Sequence, residues 1–225
     1  MEDSCARHEL HRHLLSEEVE RAVQQGVLGI WLCGSVARGT ARPTSDLDLR
    51  LFWPEPRVFE AEERSGILIE RHGQTFARAW GAVETGGGEL YIWQEGHALY
   101  DPQGELKRIA ARASTSLASY RVPPRERRAL QHWLLTTLGK LTGAAPDHAL
   151  FLVHTTTWKL AEALCAVNGR PVPSGTLMWE LLPGLPHQPH GAWLEALLSG
   201  DAEVRLGTFI RVARWTLEAL AADPG

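Results

Sequence analysis

The sequence predicts an α+β protein, in which a mixed sheet of about five strands flanked by helices precedes an all-α helical bundle. One observation is an apolar run, Val27 to Leu32, which has the length and composition of a buried strand. Another is the acidic/apolar alternation from Asp46 to Leu49, typical of a strand with one buried face. After Val122 the apolar residues recur at helical spacing, without a strand pattern. We therefore expect two domains, residues 1–121 and 122–225.

The remaining elements of the first domain follow from the same periodicities. The expected helices are 5–25, 57–64, 74–83 and 105–116, and the expected further strands are 66–71, 89–93 and 97–100. The segment RVFEAEER (57–64) is interpreted as a short charged helix. His8 and His11 in the first helix do not form H-E-x-x-H, because position 12 is arginine, and they are assigned to an exposed polar face.

The second domain is predicted to be a bundle of about four helices. Val122-Pro123-Pro124 is its expected start, because proline disfavours helix in the residue before it and suits the first turn of a new one. The expected helices are 124–141, 147–167, about 191–199 and 201–221, and a Pro/Gly-rich link with a possible helical turn (170–190) precedes the last two.

Charge and composition exclude several classes of partner. The net charge is −4, with 14 Lys/Arg against 18 Asp/Glu in residues 1–121 and 9 against 9 in residues 122–225. A protein that binds a long nucleic acid needs an excess of Lys and Arg over Asp and Glu, which neither region has. No apolar run approaches the ~20 residues of a membrane span. The polar N-terminus and three cysteines without metal-like spacing favour reduced thiols and a cytoplasmic protein.

The stretch from Cys33 to Arg50 carries the expected chemistry. Gly34 and Ser35 turn the chain into Val36–Gly39, a helical first turn whose unpaired N–H groups suit a phosphate. Asp46 and Asp48 are two apart on a strand, so both face one side. Mg²⁺-assisted chemistry on a triphosphate requires paired carboxylates beside an anion-binding site.

The pattern GSxxRG followed by SDLDL resembles the signature of the nucleotidyltransferases of the DNA polymerase β superfamily. The small bacterial members, among them the aminoglycoside nucleotidyltransferases and the minimal nucleotidyltransferases, look most similar. The matched residues are Gly34, Ser35, Arg38, Gly39, Ser45, Asp46, Leu47, Asp48 and Leu49. A C-terminal helical bundle that closes one wall of the active-site cleft is common in these proteins and fits residues 122–225.

The resemblance implies a set of catalytic and metal-binding residues. Asp46 and Asp48 would bind one or two Mg²⁺ ions. A third acidic residue on a following strand faces them in the family, and Glu70 is the best-placed candidate, either as a metal ligand or as the general base. Glu84 and Glu89 are the alternatives to Glu70.

The same resemblance implies the nucleotide-binding residues. Gly34 and Ser35 would hold the β- and γ-phosphates, and Arg38 would add charge there or only pack the helix. Ser45 belongs to the matched motif and is assigned to the nucleotide with them. From the bundle, Lys159 is expected to reach the triphosphate across the cleft, with Lys140 the second choice.

The function that the resemblance implies is Mg²⁺-dependent transfer of a nucleoside monophosphate, AMP from ATP, with release of pyrophosphate. The expected acceptor is a hydroxyl of a small molecule such as an aminoglycoside-like compound, without long nucleic acid or membrane as partner. Two alternatives stay open: nucleotidylation of a protein partner of the antitoxin kind, and a nucleotide-binding module without catalysis.

Overall fold

Two compact units make up the chain, the first ending at Ser119 and the second beginning at Tyr120. The structure is a computed structural model that describes residues 2–222, with side chains from residue 9 onwards. Among the described residues, every helix is too short or too polar to cross a membrane.

The first unit combines five strands with five helices within residues 2–119. In chain order these are α1 (Glu2–Gln24), β1 (Gly29–Cys33), α2 (Gly34–Arg38), β2 (Leu47–Phe52), β3 (Glu60–Arg64), β4 (Ile67–Gln74), α3 (Phe76–Thr85), α4 (Glu89–Glu95), β5 (His97–Tyr100) and α5 (Glu105–Ala118).

The five strands form one mixed sheet in the order β3-β4-β2-β1-β5. The β2–β4 pair is parallel and the other three pairs are antiparallel. One face is apolar because alternate residues such as Leu47, Leu49 and Ile69 are fully buried there. Leu14 and Ala22 of α1 belong to the same core cluster, so α1 covers this face. The predicted mixed sheet flanked by helices is confirmed.

The helix expected at residues 57–64 is wrong, because Glu60–Arg64 is the edge strand β3. Ser65 and Gly66 both have a positive φ, at 53° and 76°, and this tight turn folds the segment back antiparallel on β4. The residues from Glu60 to Glu63 are exposed. A charged segment of this kind has little apolar periodicity, so pairing along an open sheet edge decided its conformation.

The strand expected at residues 89–93 is also wrong, because Glu89–Glu95 is helix α4. Leu90, Tyr91 and Trp93 of this helix are buried, and the Trp93 ring lies 5.0 Å from that of Trp31 and 5.9 Å from that of Phe52. The pattern of a short apolar run does not distinguish a strand from a buried helix. Here the segment is helical and packs against the sheet.

The second unit is helical throughout its described residues, which confirms the helical C-terminal region. Its elements are α6 (Pro124–Leu141), α7 (Pro146–Val167), α8 (Gly175–Leu181), a 3-10 turn (Leu182–Gly184), α9 (Trp193–Leu197) and α10 (Ala202–Ala222). The unit has its own core, in which Leu134, Leu164 and Phe209 are fully buried.

Candidate metal centre

Strand β2 and the residue before it supply two of the acidic side chains of the candidate site. Leu47 and Leu49 point into the core with no exposed surface, so the intervening Asp48 faces the opposite side of the sheet. Asp46 immediately precedes the strand, and both carboxylates are half-buried. The alternating pattern therefore places two acids on one side.

Strand β4 brings the third acid beside them. Because β4 runs parallel to β2 in a register that pairs Asp48 with Glu70, the two side chains lie on the same face of adjacent strands. One carboxylate oxygen from each of Asp46, Asp48 and Glu70 lies within 4.8 Å of the other two. The structure thus brings together the three residues that the sequence analysis selected as metal ligands.

The electrostatics of this cluster disfavour three free negative charges. The pKa of Asp48 is raised to about 6, chiefly by burial and also by the carboxylates of Asp46, Glu70 and Glu95, against the opposing effect of Arg50. A divalent cation relieves such repulsion, and three carboxylates are a hard-oxygen ligand set of the kind that Mg²⁺ prefers. The residues present therefore fit a divalent metal.

Gly34 allows the Asp48 carboxylate to lie where it does. Gly34 has φ 74°, and a Cβ placed on it would lie 2.0 Å from Oδ2 of Asp48. The first residue of α2 is therefore packed directly against the acidic cluster, and a side chain there would displace Asp48. The predicted phosphate contacts of Gly34 and Ser35 stay a prediction.

The motif arginine, Arg38, makes an ion pair across the first unit. Its Nη1 donates to Oε2 of Glu95 over 2.6 Å, and both side chains are only 14% exposed. Glu95 is also one of the charges that act on Asp48. In the structure, Arg38 therefore pairs with Glu95 and balances its charge. The expected contact of Arg38 with nucleotide stays a prediction.

The other predicted nucleotide-binding residues have local partners. Ser45 Oγ accepts a hydrogen bond from the backbone N–H of Arg42 over 2.8 Å, which closes the turn before Asp46. Lys159 lies on α7 in the second unit, where its amino group is bonded to Glu162 one turn away. The expected contacts of Ser45 and Lys159 with nucleotide remain predictions.

The two alternatives to Glu70 lie outside the acidic cluster. Glu84 is exposed and forms a bidentate pair with Arg112, with both distances 2.8 Å. Glu89 lies 3.4 Å from Nη1 of Arg50. Each of these two carboxylates is therefore paired with an arginine, Glu84 near the end of α3 and Glu89 at the start of α4.

A residue that the sequence analysis misassigned is His11. It is 3% exposed, and its Nε2 lies 2.8 Å from the carbonyl oxygen of Ser45, so the expectation of an exposed polar face is wrong for it. The contact anchors the segment before Asp46 to α1. His11 shares a helical face with Leu14, three residues later, which is the signal that could have indicated burial. The side chain of His8 lies outside the described residues.

Glu95 and Arg50 were missed for a different reason. Both act on Asp48, Glu95 by raising its pKa and Arg50 by lowering it. Arg50 lies two residues beyond Asp48 on the same face of β2, so its place follows from the strand periodicity. Glu95 comes close through the packing of α4, which leaves no local signal in the sequence.

Comparison with known proteins assigns the segment that contains this cluster. Residues 14–93 match the nucleotidyltransferase domain family, a stretch that runs from α1 into α4 and includes all three acids. This match to a nucleotidyltransferase domain supports nucleotidyl transfer as the general class of reaction and an NTP as a substrate. Domains of this family generally use a divalent metal.

Among solved structures, the chain is similar to a nucleotidyltransferase-like protein from Exiguobacterium sibiricum 255-15. The identity is 15% and the TM-score 0.42, and the alignment covers 89% of this chain and 71% of that chain. No curated protein matches the sequence.

Proposed function

We propose that this protein transfers a nucleoside monophosphate, AMP from ATP, to a hydroxyl group of a small-molecule acceptor and releases pyrophosphate. The observation that carries the proposal is the convergence of Asp46, Asp48 and Glu70 within 4.8 Å, in a segment that matches the nucleotidyltransferase domain family. Residues 1–121 would be the catalytic domain, and residues 122–225 an appended helical bundle.

Asp46, Asp48 and Glu70 would hold the metal. When bound, Mg²⁺ supplies the positive charge that offsets the phosphate oxygens and aligns the displacement. The backbone N–H groups of Gly34 and Ser35 would hold the β- and γ-phosphates at the first turn of α2. In this arrangement the metal held by the three acids would offset the phosphate charge, and the start of α2 would bind the leaving pyrophosphate.

The reaction needs one bond to form and one to break. The acceptor oxygen bonds to the α-phosphorus, and the bond from that phosphorus to the pyrophosphate oxygen breaks in line. The acceptor proton passes to a base, for which Glu70 is the candidate because it lies in the acidic cluster on the strand next to Asp48. Solvent then takes the proton from the carboxylate.

An aminoglycoside-like acceptor fits a protein without a basic excess, and a protein acceptor is the competing possibility.

Cys33 and Cys165 are buried free thiols, which supports a reducing, cytoplasmic location.

The test is thermal unfolding with each NTP, with and without Mg²⁺. We expect one Mg²⁺–NTP pair to stabilise the wild type by ~2.7 kcal/mol at 100 times its dissociation constant, and Asp46→Asn/Asp48→Asn to abolish this stabilisation. Glu55→Gln/Glu60→Gln removes the same charge from exposed positions, so this control should behave as the wild type.

A subsequent screen for pyrophosphate release identifies the acceptor, and Asp46→Asn should slow release at least ~100-fold. Near-wild-type turnover of that variant would contradict the mechanism. Labelling of a protein and of no small molecule would favour the alternative acceptor, and nucleotide binding without release would favour a binding module.

A further inference from the structure

An exposed aromatic pair lies beside the acidic cluster. Phe59 is 52% exposed, and its ring centroid lies 4.8 Å from that of His72 at an interplanar angle of 48°. Nε2 of His72 lies 3.7 Å from Oε2 of Glu70. A phenyl ring is therefore held at the surface one side chain away from a candidate metal ligand and base.

The sheet register explains this position. Glu60 of β3 pairs with Arg71 of β4, so Phe59 lies opposite His72, and His72 lies two residues beyond Glu70 on the same face. Phe59 thus shares the face of the acidic cluster, not the core face. Its neighbour Val58 is 79% exposed.

The order and register of the strands place this pair diagonally across the cluster from Gly34, because Phe59 lies in a row with His72, two residues along β4 from Glu70. From one edge of the sheet, β3 with Phe59 comes first, then β4 with Glu70 and β2 with Asp48, and then β1, which ends at Cys33 just before Gly34. In-line displacement puts the attacking oxygen and the leaving pyrophosphate on opposite sides of the phosphorus. If pyrophosphate leaves on the side of Gly34, the acceptor enters on the side of Phe59.

We propose that Phe59 and His72 bind a ring of the acceptor, and that this ring carries its reacting hydroxyl toward Glu70. The inference rests on the proposed function and adds the side chains that would position the acceptor. His72 lies one strand across from Phe59, about 4.8 Å away, and Glu70 lies two residues along β4, roughly 6.6 Å further, so a six-membered ring that packs on Phe59 reaches toward Glu70 through its hydroxyl substituents. A sugar or cyclitol ring fits, because its apolar face packs on an aromatic side chain while its hydroxyl edge meets His72 and Glu70.

The experiment compares ring and open-chain acceptors that carry the same hydroxyl chemistry. Pyrophosphate release from Mg²⁺–NTP is measured with myo-inositol and methyl α-D-glucopyranoside as ring probes and sorbitol as the open-chain probe. We expect the ring probes to give the higher kcat/KM. Phe59→Ala should raise their KM about 10-fold with kcat within about twofold, since the ring positions the acceptor and takes no part in the bond changes.

Two further variants isolate the role of the aromatic ring. Phe59→Tyr keeps the ring and should keep the wild-type KM for the ring probes. Val58→Ala removes apolar surface from the adjacent exposed position and should leave every constant unchanged. Because Phe59 is half exposed, these substitutions leave the core of the first unit intact.

Several outcomes overturn the inference while the proposed function stands. These are a wild type that binds Mg²⁺–NTP yet uses ring probes no better than sorbitol or not at all, and an unchanged ring KM in Phe59→Ala. A third is loss of Mg²⁺–NTP stabilisation in Phe59→Ala, which would assign the ring to the nucleotide base. Absence of any Mg²⁺–NTP stabilisation in the wild type overturns the proposed function, and the inference with it.

Discussion

The contact between the Gly34 backbone and the Asp48 carboxylate determines where the second acid of the cluster lies. Gly34 and Gly39 have nearly the same backbone conformation, with φ 74° and 72°, but only Gly34 is packed against another residue. Alanine substitutions at these two glycines therefore distinguish the cost of backbone strain, which both share, from the displacement of Asp48, which only Gly34→Ala causes.

Gly34→Ala should lose both stability and metal binding. An alanine at positive φ costs about 1 kcal/mol, and its Cβ would lie 2.0 Å from Oδ2 of Asp48, so the carboxylate must move. Gly39→Ala carries the same strain with no atom within 4 Å of the new Cβ. Urea unfolding should show similar losses from strain, while Mg²⁺-dependent stabilisation disappears only in Gly34→Ala. Equal Mg²⁺ responses would contradict this account.

Asp48 also gives the metal-free protein a characteristic pH dependence. Its pKa is about 6 in the folded protein against an ordinary value of 3.8, so its ionisation disfavours the folded state as pH rises through this window. Asp48→Asn removes that penalty. In EDTA, the variant should therefore unfold at a higher temperature than the wild type at pH 7.5, with the difference shrinking as pH falls toward 4.

The Asp48→Asn variant should at the same time lose its response to Mg²⁺. A variant that is less stable than the wild type at pH 7.5 would show that Asp48 makes a favourable structural contact that outweighs the repulsion. Glu55→Gln serves as the control, since it removes one negative charge from an exposed position.

At the scale of secondary-structure elements, a charged network joins α1 to the edge of the sheet. Glu18 on α1 is 3% exposed and accepts two hydrogen bonds from Arg71 on β4, at 2.6 and 2.9 Å. Arg71 also donates to Glu62 on β3 over 2.8 Å, and Arg64 on β3 is bonded to Glu18. The network explains how a strand as charged as β3 is held at this edge.

Glu18→Gln should destabilise the protein by ~3 kcal/mol in urea unfolding at pH 7, because it leaves the buried Arg71 guanidinium with only the half-exposed Glu62 as its anion. Glu17→Gln removes a neighbouring charge whose side chain is 45% exposed, and should change the free energy of unfolding by less than ~1 kcal/mol. Similar effects of the two substitutions would contradict the assigned burial.

The Glu18 network also predicts an acid dependence. Burial opposes ionisation of Glu18, but hydrogen bonding to Arg71 and the charges of Arg71, Arg21 and Arg64 outweigh it and hold its pKa below the ordinary 4.5. A lowered pKa contributes stability that is present above pH 4.5 and is lost as pH falls through the folded pKa. The wild type should therefore lose stability below pH 4.5 more steeply than Glu18→Gln does.

At the scale of the whole molecule, each unit has its own apolar core, and the acidic cluster lies on the opposite face of the sheet from the core packed under α1. The fold is therefore expected to form without metal. EDTA should leave the far-ultraviolet circular dichroism spectrum unchanged and remove only the stabilisation that Mg²⁺ and NTP add. Loss of helical signal in EDTA would show that metal binding is coupled to folding, as in structural zinc domains.

Local periodicity was sufficient for much of this fold. The alternation around Asp46 and Asp48 fixed which side chains share a face of β2, and helical spacing with terminal proline and glycine predicted α6 and α7 closely. The errors fell on residues 57–64 and 89–93, where short segments lacked a periodicity long enough to distinguish helix from strand. Packing partners decided those segments.

The sequence by itself determined that Asp46 and Asp48 lie on one side of the chain at the start of β2, because a period of two depends only on neighbouring residues. The tertiary structure decided the parallel register that sets Glu70 against Asp48, the pairing of Arg38 with Glu95, and the place of Phe59 opposite His72. These contacts join residues far apart in the chain. Strand order and helix packing create them, and no local pattern encodes which partners will meet.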